Sequence, residues 1–171
     1  MRYYEKQNVL ASMVILVDTR EQRTGRAERR YKAFTVPYRR QKLDYGDYSA
    51  EATAPDGTQI RVNAAVERKM NLEELSGCLT HGRERFKAEF ERAKAAGASM
   101  YLLLENATWE DLICGKYNTK FSSKAFLASL SAWIVRYDLK VIMCRPETSG
   151  LIIQELLYRE LKERLERGEY G

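Results

Sequence analysis

The chain has few of the residues that staple or ligate small folds: its 171 residues include three cysteines, one histidine and three prolines. Cys78, Cys114 and Cys144 are far apart, odd in number and form no CxxC pair, and His81 has no second histidine to join it. That pattern argues against a zinc finger or a disulfide scaffold and fits a reduced, intracellular setting. The apolar run VLASMVILV at residues 9–17 follows a basic start, yet charged DTREQR stands where a signal peptide has its small-residue cleavage site. A buried strand is therefore expected there. Nothing reaches the roughly 18 apolar residues that a membrane span requires, so no membrane partner is expected. Proline and glycine are too sparse for a long linker, and no repeat or low-complexity tract interrupts the chain. A single domain over residues 1–171 is the expectation.

What the chain does hold is a local excess of positive charge. Its formal net charge is only +5. Between Arg20 and Lys42, however, nine basic residues stand against two acids, Glu21 and Glu28, with Tyr31, Phe34 and Tyr38 interleaved. Such a segment suits a surface that neutralises phosphates and stacks on bases, with Arg23, Arg29, Arg30, Arg39 and Arg40 as candidate DNA contacts. The alternative is a solvated loop that keeps the protein soluble.

Strand and helix patterns alternate along the chain. MVILVD (13–18) reads as a buried strand, and FTVPYRRQKLDYGDYSAEA (34–52) as one or two strands with turn character at Asp44–Gly46. Pro55-Asp56-Gly57 is a strong turn signal and predicts a hairpin of residues 47–54 with 59–67. Asn71, with Glu74 three residues later, predicts a capped helix carrying Leu72, Leu75 and Leu79 on one face. His81-Gly82 should break it, and RERFKAEFERAKAA (83–96) resumes a helix that Gly97 closes. SMYLLLE (99–105) and KVIMCRP (140–146) read as strands around the helix SSKAFLASLSAWIVRY (122–137), capped by Ser122 or Ser123. The last helix, SGLIIQELLYRELKERLERG (149–168), has Ile153, Leu157, Leu161 and Leu165 at i+4 steps. This order predicts an α/β fold, a central mixed β-sheet flanked by α-helices, hairpin-rich first and parallel later.

Acids gather at the predicted strand ends: Asp18, Glu21 three residues on, Asp47 in GDY, and Glu67 two residues before Lys69. Successive strand residues alternate faces, so Glu67 and Lys69 share one side and Val66 and Arg68 the other. The hairpin brings Asp47 and Glu67 near each other, and an Asp–Glu pair is a hard-oxygen site suited to Mg²⁺ or Mn²⁺ rather than zinc. Lys69 there can orient an attacking water or stabilise a pentacovalent phosphate. Singly, each residue has a plainer reading: a turn cap for Asp18, a surface pair with Arg20 or Arg23 for Glu21, and a Glu67–Lys69 ion pair worth well under about 1 kcal/mol.

Taken together, VDTRE (17–21), LDYGDY (43–48) and VERK (66–69), in this order and spacing, resemble the nuclease domain of the XPF-type structure-specific endonucleases, a branch of the PD-(D/E)XK superfamily. HGRERFKAEFERAK resembles the family's Gly-Arg-bearing helix and SAWIVRYDLKVIMCRP its closing helix–strand unit, so the likeness runs from about residue 13 to 165. It implies a restriction-endonuclease-like sheet and a metal-dependent DNA endonuclease acting on flaps, forks or junctions in repair, recombination or mobile-element processing. By the same resemblance Asp47 and Glu67 are the primary ligands of Mg²⁺ or Mn²⁺, Lys69 is the catalytic lysine, and Asp18 and Glu21 are outer acids for a second metal or a water. Arg20 and Arg68 match the family's arginines, which hold acids in place or meet the scissile phosphate, and Arg83 is a further candidate for that duty.

Two features depart from the family pattern. After Glu67-Arg68-Lys69 the acid–leucine pair comes one residue late, at Glu74-Leu75, where Asn71 caps the helix, so a small shift at the helix start is expected. The family's eukaryotic and archaeal members continue into helix-hairpin-helix modules, whereas this chain stops at Gly171. Standalone forms resemble bacterial or mobile-element proteins, and a separate DNA-recognition partner is then expected. The competing readings are a non-catalytic DNA-binding or scaffold partner of a nuclease, against which the intact acids argue, and a junction-resolving or restriction-like enzyme of the same superfamily. A homodimer is expected through the Trp133 helix and the last helix, whose apolar side chains exceed one core face.

Overall fold

The structure, a computed structural model, describes residues 1–170. In chain order the elements are α1 (Tyr3–Ala11), β1 (Val14–Val17), α2 (Gly25–Lys32), β2 (Tyr38–Arg40), β3 (Tyr48–Thr53), β4 (Gln59–Arg61) and β5 (Ala64–Lys69), then α3 (Leu72–Leu79), α4 (Arg83–Ala95), β6 (Ser99–Glu105), α5 (Trp109–Ile113), α6 (Ser123–Tyr137), β7 (Lys140–Cys144) and α7 (Pro146–Glu166). One sheet has the order β2-β1-β3-β5-β6-β7, with β4 paired to β3. The β1–β3, β3–β4 and β3–β5 pairs are antiparallel and the β1–β2, β5–β6 and β6–β7 pairs parallel. The mixed α/β sheet expected from the sequence is the one observed.

Helices cover both faces, which is why β6 reads as an unbroken apolar run instead of an alternating one. On one face Ala65, Leu102 and Leu104 pack with Leu75, Phe86, Phe90 and Trp133 under α3, α4 and α6. On the other, Val17, Tyr48, Val66 and Leu103 pack with Ile153, Leu157 and Leu161 under α7, with α1 and α2 beside it. The caps at Asn71 and Ser122 form, accepting from the Glu74 and Ala125 amides, and Gly97 closes α4 with φ of +63°. The three cysteines are free.

Four expectations change. The apolar run 9–17 is not one strand: Val9 and Leu10 end α1, and only Val14–Val17 pairs in the sheet. The basic segment is not a loop throughout, because Thr24 accepts from the Ala27 amide and starts α2, whose inward face is Ala27, Arg30 and Tyr31. An arginine at one of three inward positions conceals the apolar period. The last helix starts at Pro146, not Ser149, since proline at the first helical position needs no partner for a missing N–H. Finally, most apolar side chains of α6 and α7 are not surplus: Phe126, Leu130, Trp133 and Tyr137, and Ile153, Leu157, Leu161 and Leu165, are buried within the one chain, leaving Val135 and Leu151 exposed. Helix α2 approaches α7 at Gly150, where a Cβ would lie 2.6 Å from the Arg30 carbonyl oxygen.

Candidate active site

The junction of β4 and β5 builds the centre. The β3–β4 hairpin pairs Glu51 with Arg61, and continuing that register would set Tyr48 opposite Ala64 and Asp47 opposite Ala65. Instead Tyr48 pairs with Val66, so two extra residues are taken up around Val62–Asn63. The bulge keeps each side chain on its own face, because strand periodicity is two, but slides Asp47 opposite Glu67. The Asp47 amide donates to the Val66 carbonyl (2.9 Å), and the Arg68 amide donates to Asp47 Oδ2 (2.8 Å). Gly46, with φ of +73°, makes this approach possible: a Cβ there would fall 2.7 Å from Ala65 Cβ. Gly46→Ala is accordingly expected to lose about 2–4 kcal/mol, from left-handed strain plus overpacking. Chemical denaturation checks this, and an unchanged midpoint would show that the strand relaxes.

Asp47, Glu67 and Lys69 line one pocket between the strand ends and α3–α4. Glu67 is 4% exposed; its Oε1 accepts from Lys69 Nζ at 2.6 Å, while its Oε2 is buried with no partner. Burial, then the neighbouring charge of Glu21, pushes the Asp47 carboxyl up to about 7. Glu67 is raised well above the usual range by burial and then by Asp47. Two carboxyls held together out of water titrate as a pair and favour retaining a proton. Burial alone would lower the Lys69 pKa, but the charges of Glu67 and Asp47 outweigh it, so the group is raised and stays an ammonium at neutral pH. Its Nζ lies 5.1 Å from the centroid of the Phe86 ring, which stacks on Trp133.

The remaining predicted residues divide by face. Asp18 is buried and accepts from the Arg20 side chain (2.7 and 3.2 Å) and the Leu43 amide (2.7 Å), so both of its oxygens are engaged. Burial opposes its ionisation, and these hydrogen bonds together more than offset that, lowering its pKa. Asp18 thereby fixes Arg20, which lines the carboxylate pocket. Glu21 instead meets the α2 side, with Arg30 Nη2 at 2.8 Å, the Tyr48 hydroxyl at 3.2 Å and Arg68 Nη2 at 3.4 Å. Arg68, on the opposite face of β5 from Glu67 and Lys69, also donates to Glu105 Oε2 (3.1 Å). Of the arginines expected on DNA, Arg30 is buried in this network, Arg39 pairs with Glu51, and Arg40 donates to the Thr19 and Glu21 carbonyls. Arg83 reaches the Leu79 carbonyl and Arg85 lines the pocket in its place, while Arg23 and Arg29 are exposed. Tyr31, Phe34 and Tyr38 pack on one another and Phe34 on Tyr48, so these rings serve the fold, with Tyr38 left 42% exposed.

Three contributors escaped the sequence reading. Glu89 of α4 lines the pocket and accepts from the Gly46 amide at 2.7 Å, yet no spacing ties it to Asp47. Phe86 carries no motif beyond its helical pairing with Phe90. Glu105 is an acid closing an apolar strand, the same signal that marks Asp18. Among the described residues no group of three or more His, Cys, Asp and Glu side chains is set to hold a metal by itself. The donor set nevertheless fits a hard divalent cation: Asp47 and Glu67 side by side in one pocket, one buried Glu67 oxygen without a partner, and ionisation of both acids opposed by burial. Mg²⁺ takes one or two carboxylates and fills its remaining positions with water and substrate phosphate.

Fold and site together define an α/β protein with an Asp–Glu–Lys centre across two adjoining strands. A model of the ERCC4 domain matches residues 17–155, and the chain belongs to that family. It is similar in fold to XPF from Aeropyrum pernix, at 17% identity and a TM-score of 0.63, covering 92% of this chain and 69% of that one. It is likewise similar to XPF from Aeropyrum pernix in complex with DNA, at 19% identity and a TM-score of 0.63, covering 89% of this chain and 66% of that one. No curated protein matches the chain. Among the described residues no helix is long and apolar enough to cross a membrane.

Proposed function

We propose that the chain is a DNA endonuclease dependent on Mg²⁺ or Mn²⁺ that hydrolyses phosphodiester bonds at branched or distorted DNA. The observation that carries this reading is the convergence of Asp47, Glu67 and Lys69 in one pocket, with Arg20 on its wall. Membership of the ERCC4 domain family supports it, as does the likeness to an XPF solved with DNA. Asp47 and Glu67 would hold the metal, which when bound supplies a Lewis acid and a water of lowered pKa. Lys69 is already protonated and so cannot take a proton from that water. Its work is to hold Glu67 in place and present positive charge to the phosphate, where charge develops. Phe86 limits its motion from the other side, and Arg20, anchored by Asp18, adds a second cation at the rim.

The test is cleavage of labelled flap, fork, junction and duplex DNA with Mg²⁺, Mn²⁺ or EDTA. Lys69→Ala should lose about 10²–10³-fold in rate. Equal rates in wild type and Lys69→Ala would end the assignment, and DNA binding without any cleavage would move the chain to a non-catalytic role. A separate recognition partner belongs to the proposal, and weak discrimination among flap, fork and junction, all cut in preference to duplex, is its expected sign. A homodimer is also proposed. With Leu157, Leu161 and Leu165 of α7 consumed by the core, it would use exposed Val135 and the open edge of β7. Light scattering at micromolar concentration decides, a monomer refuting it.

A further inference from the structure

Three depressions run together across the strand ends. The carboxylate pocket shares Arg20 and Glu74 with a second, lined by Arg26, Arg29 and Arg68 and by Thr24 and Gly25 at the start of α2. The second shares Arg26 and Arg29 with a third, which reaches Pro146 and Glu147 at the start of α7. We infer that a DNA strand leaves the carboxylate pocket over Arg20 and lays neighbouring phosphates on Arg26 and Arg29. This rests on the nuclease reading and adds to it which side of the cut the chain grips.

The pairing of the arginines makes the argument. In the basic segment Arg20, Arg30 and Arg39 are bound to Asp18, Glu21 and Glu51, and Arg40 to backbone carbonyls. Arg30, Arg39 and Arg40 are thereby committed to the fold, while Arg20, anchored by Asp18, stays half-exposed on the wall shared by the first two depressions. Among the described residues Arg26 and Arg29 have no carboxylate partner, and the one polar contact of Arg26 is the Met70 sulfur at 2.9 Å. Because Ala27, Arg30 and Tyr31 face the core, Arg26 and Arg29 share the outward face one turn apart, with Cβ atoms about 5–6 Å from each other. Two like charges so placed repel unless an anion lies between them. The start of α2 adds its own partial positive charge at the same end. Glu74 on the shared wall is occupied, accepting from the Met70 amide at 2.6 Å. At Glu147 the trough turns acidic, so the grip ends there. No aromatic ring lines the second or third depression, so backbone and not bases is what it reads.

Binding of labelled DNA is measured in EDTA, without cleavage, across a salt series for wild type, Arg26→Ala/Arg29→Ala, Arg26→Lys/Arg29→Lys, and Arg159→Ala on α7 as control. Each phosphate contact contributes about 0.7–0.9 to the slope of log K against log salt, so the alanine pair should flatten it by about 1.4–1.8. The lysine pair should keep the wild-type slope, and the control should change nothing. Matched melting curves are expected, since both side chains are exposed. A wild type that binds and cuts DNA, with an unchanged slope in the alanine pair, would overturn the track alone. So would an equal loss in the Arg159→Ala control or in the lysine pair. A wild type that neither binds nor cuts would remove the nuclease reading and the track together.

Discussion

Asp47→Asn is expected to abolish metal-dependent cleavage and at the same time to make the metal-free protein more stable. Burial and then the charge of Glu21 oppose ionisation of Asp47, and burial and then Asp47 oppose that of Glu67, so the folded pKa values of both lie above the unfolded ones. Between the ordinary aspartate value near 4 and the folded value of about 7 the folded state binds more protons than the unfolded state. Stability therefore falls as pH rises through that window and stays low above it. Asparagine cannot ionise, so the variant escapes the loss. The expected gain is about 1–3 kcal/mol at pH 8 in EDTA, shrinking toward zero by pH 4, read from urea midpoints. Mn²⁺ should raise the melting temperature of wild type and leave that of the variant nearly unchanged, which reports the metal without activity. A variant that loses stability at pH 8 would mean that the Asp47 carboxylate is held by contacts stronger than the repulsion it meets. Activity lost together with stability gained is the mark of a residue kept for chemistry.

How far the sequence discloses this centre depends on the range of the forces involved. Asp47, Glu67 and Lys69 are legible because strand periodicity and a Pro-Asp-Gly turn are local signals, and those signals put acids at strand ends. The turn alone, however, predicts Asp47 opposite Ala65. The two-residue bulge at Val62–Asn63 that corrects this has no turn residue beyond Asn63 to announce it. Helix α2 is hidden for a different reason. Its inward face is completed by Arg30, a residue that burial patterns treat as surface, and Glu21 in the loop before α2 together with Glu105 at the end of distant β6 makes that burial tolerable. Glu89 meets Gly46 from a helix that starts more than thirty residues later, and no periodicity within either segment encodes that contact. The XPF-type resemblance spans these gaps because motif order carries tertiary information that single segments lack, and the ERCC4 match over residues 17–155 shows the family.

Arg30→Ala is expected to cost about 3–5 kcal/mol, the largest stability loss of any single exchange considered for this chain. Arg30 is 3% exposed, donates to Glu21 Oε1 at 2.8 Å and to the Tyr48 hydroxyl at 3.1 Å, and lies 3.6 Å from Glu105 Oε1. With it, two guanidinium groups balance two carboxylates. Without it, Arg68 alone faces Glu21 and Glu105, and Glu105 is fully buried. The cost is the desolvation of an uncompensated acid more than the loss of a favourable pair, and a second exchange separates the two. Adding Glu105→Gln to Arg30→Ala should recover part of the loss, because the neutral amide needs no counter-charge, whereas in the wild-type background Glu105→Gln should destabilise. A coupling of about 1–3 kcal/mol between the sites is the expected magnitude. Additive losses in urea denaturation would mean that water enters and screens the vacancy. Since Arg68 shares β5 with Glu67 and Lys69, a shift of the arginine would also disturb the cleavage centre through the strand. Assayed well below its melting temperature, Arg30→Ala should then lose rate even while folded, and Arg30→Lys, which restores one charge but not the fork that reaches both Glu21 and Tyr48, should recover only part of each loss.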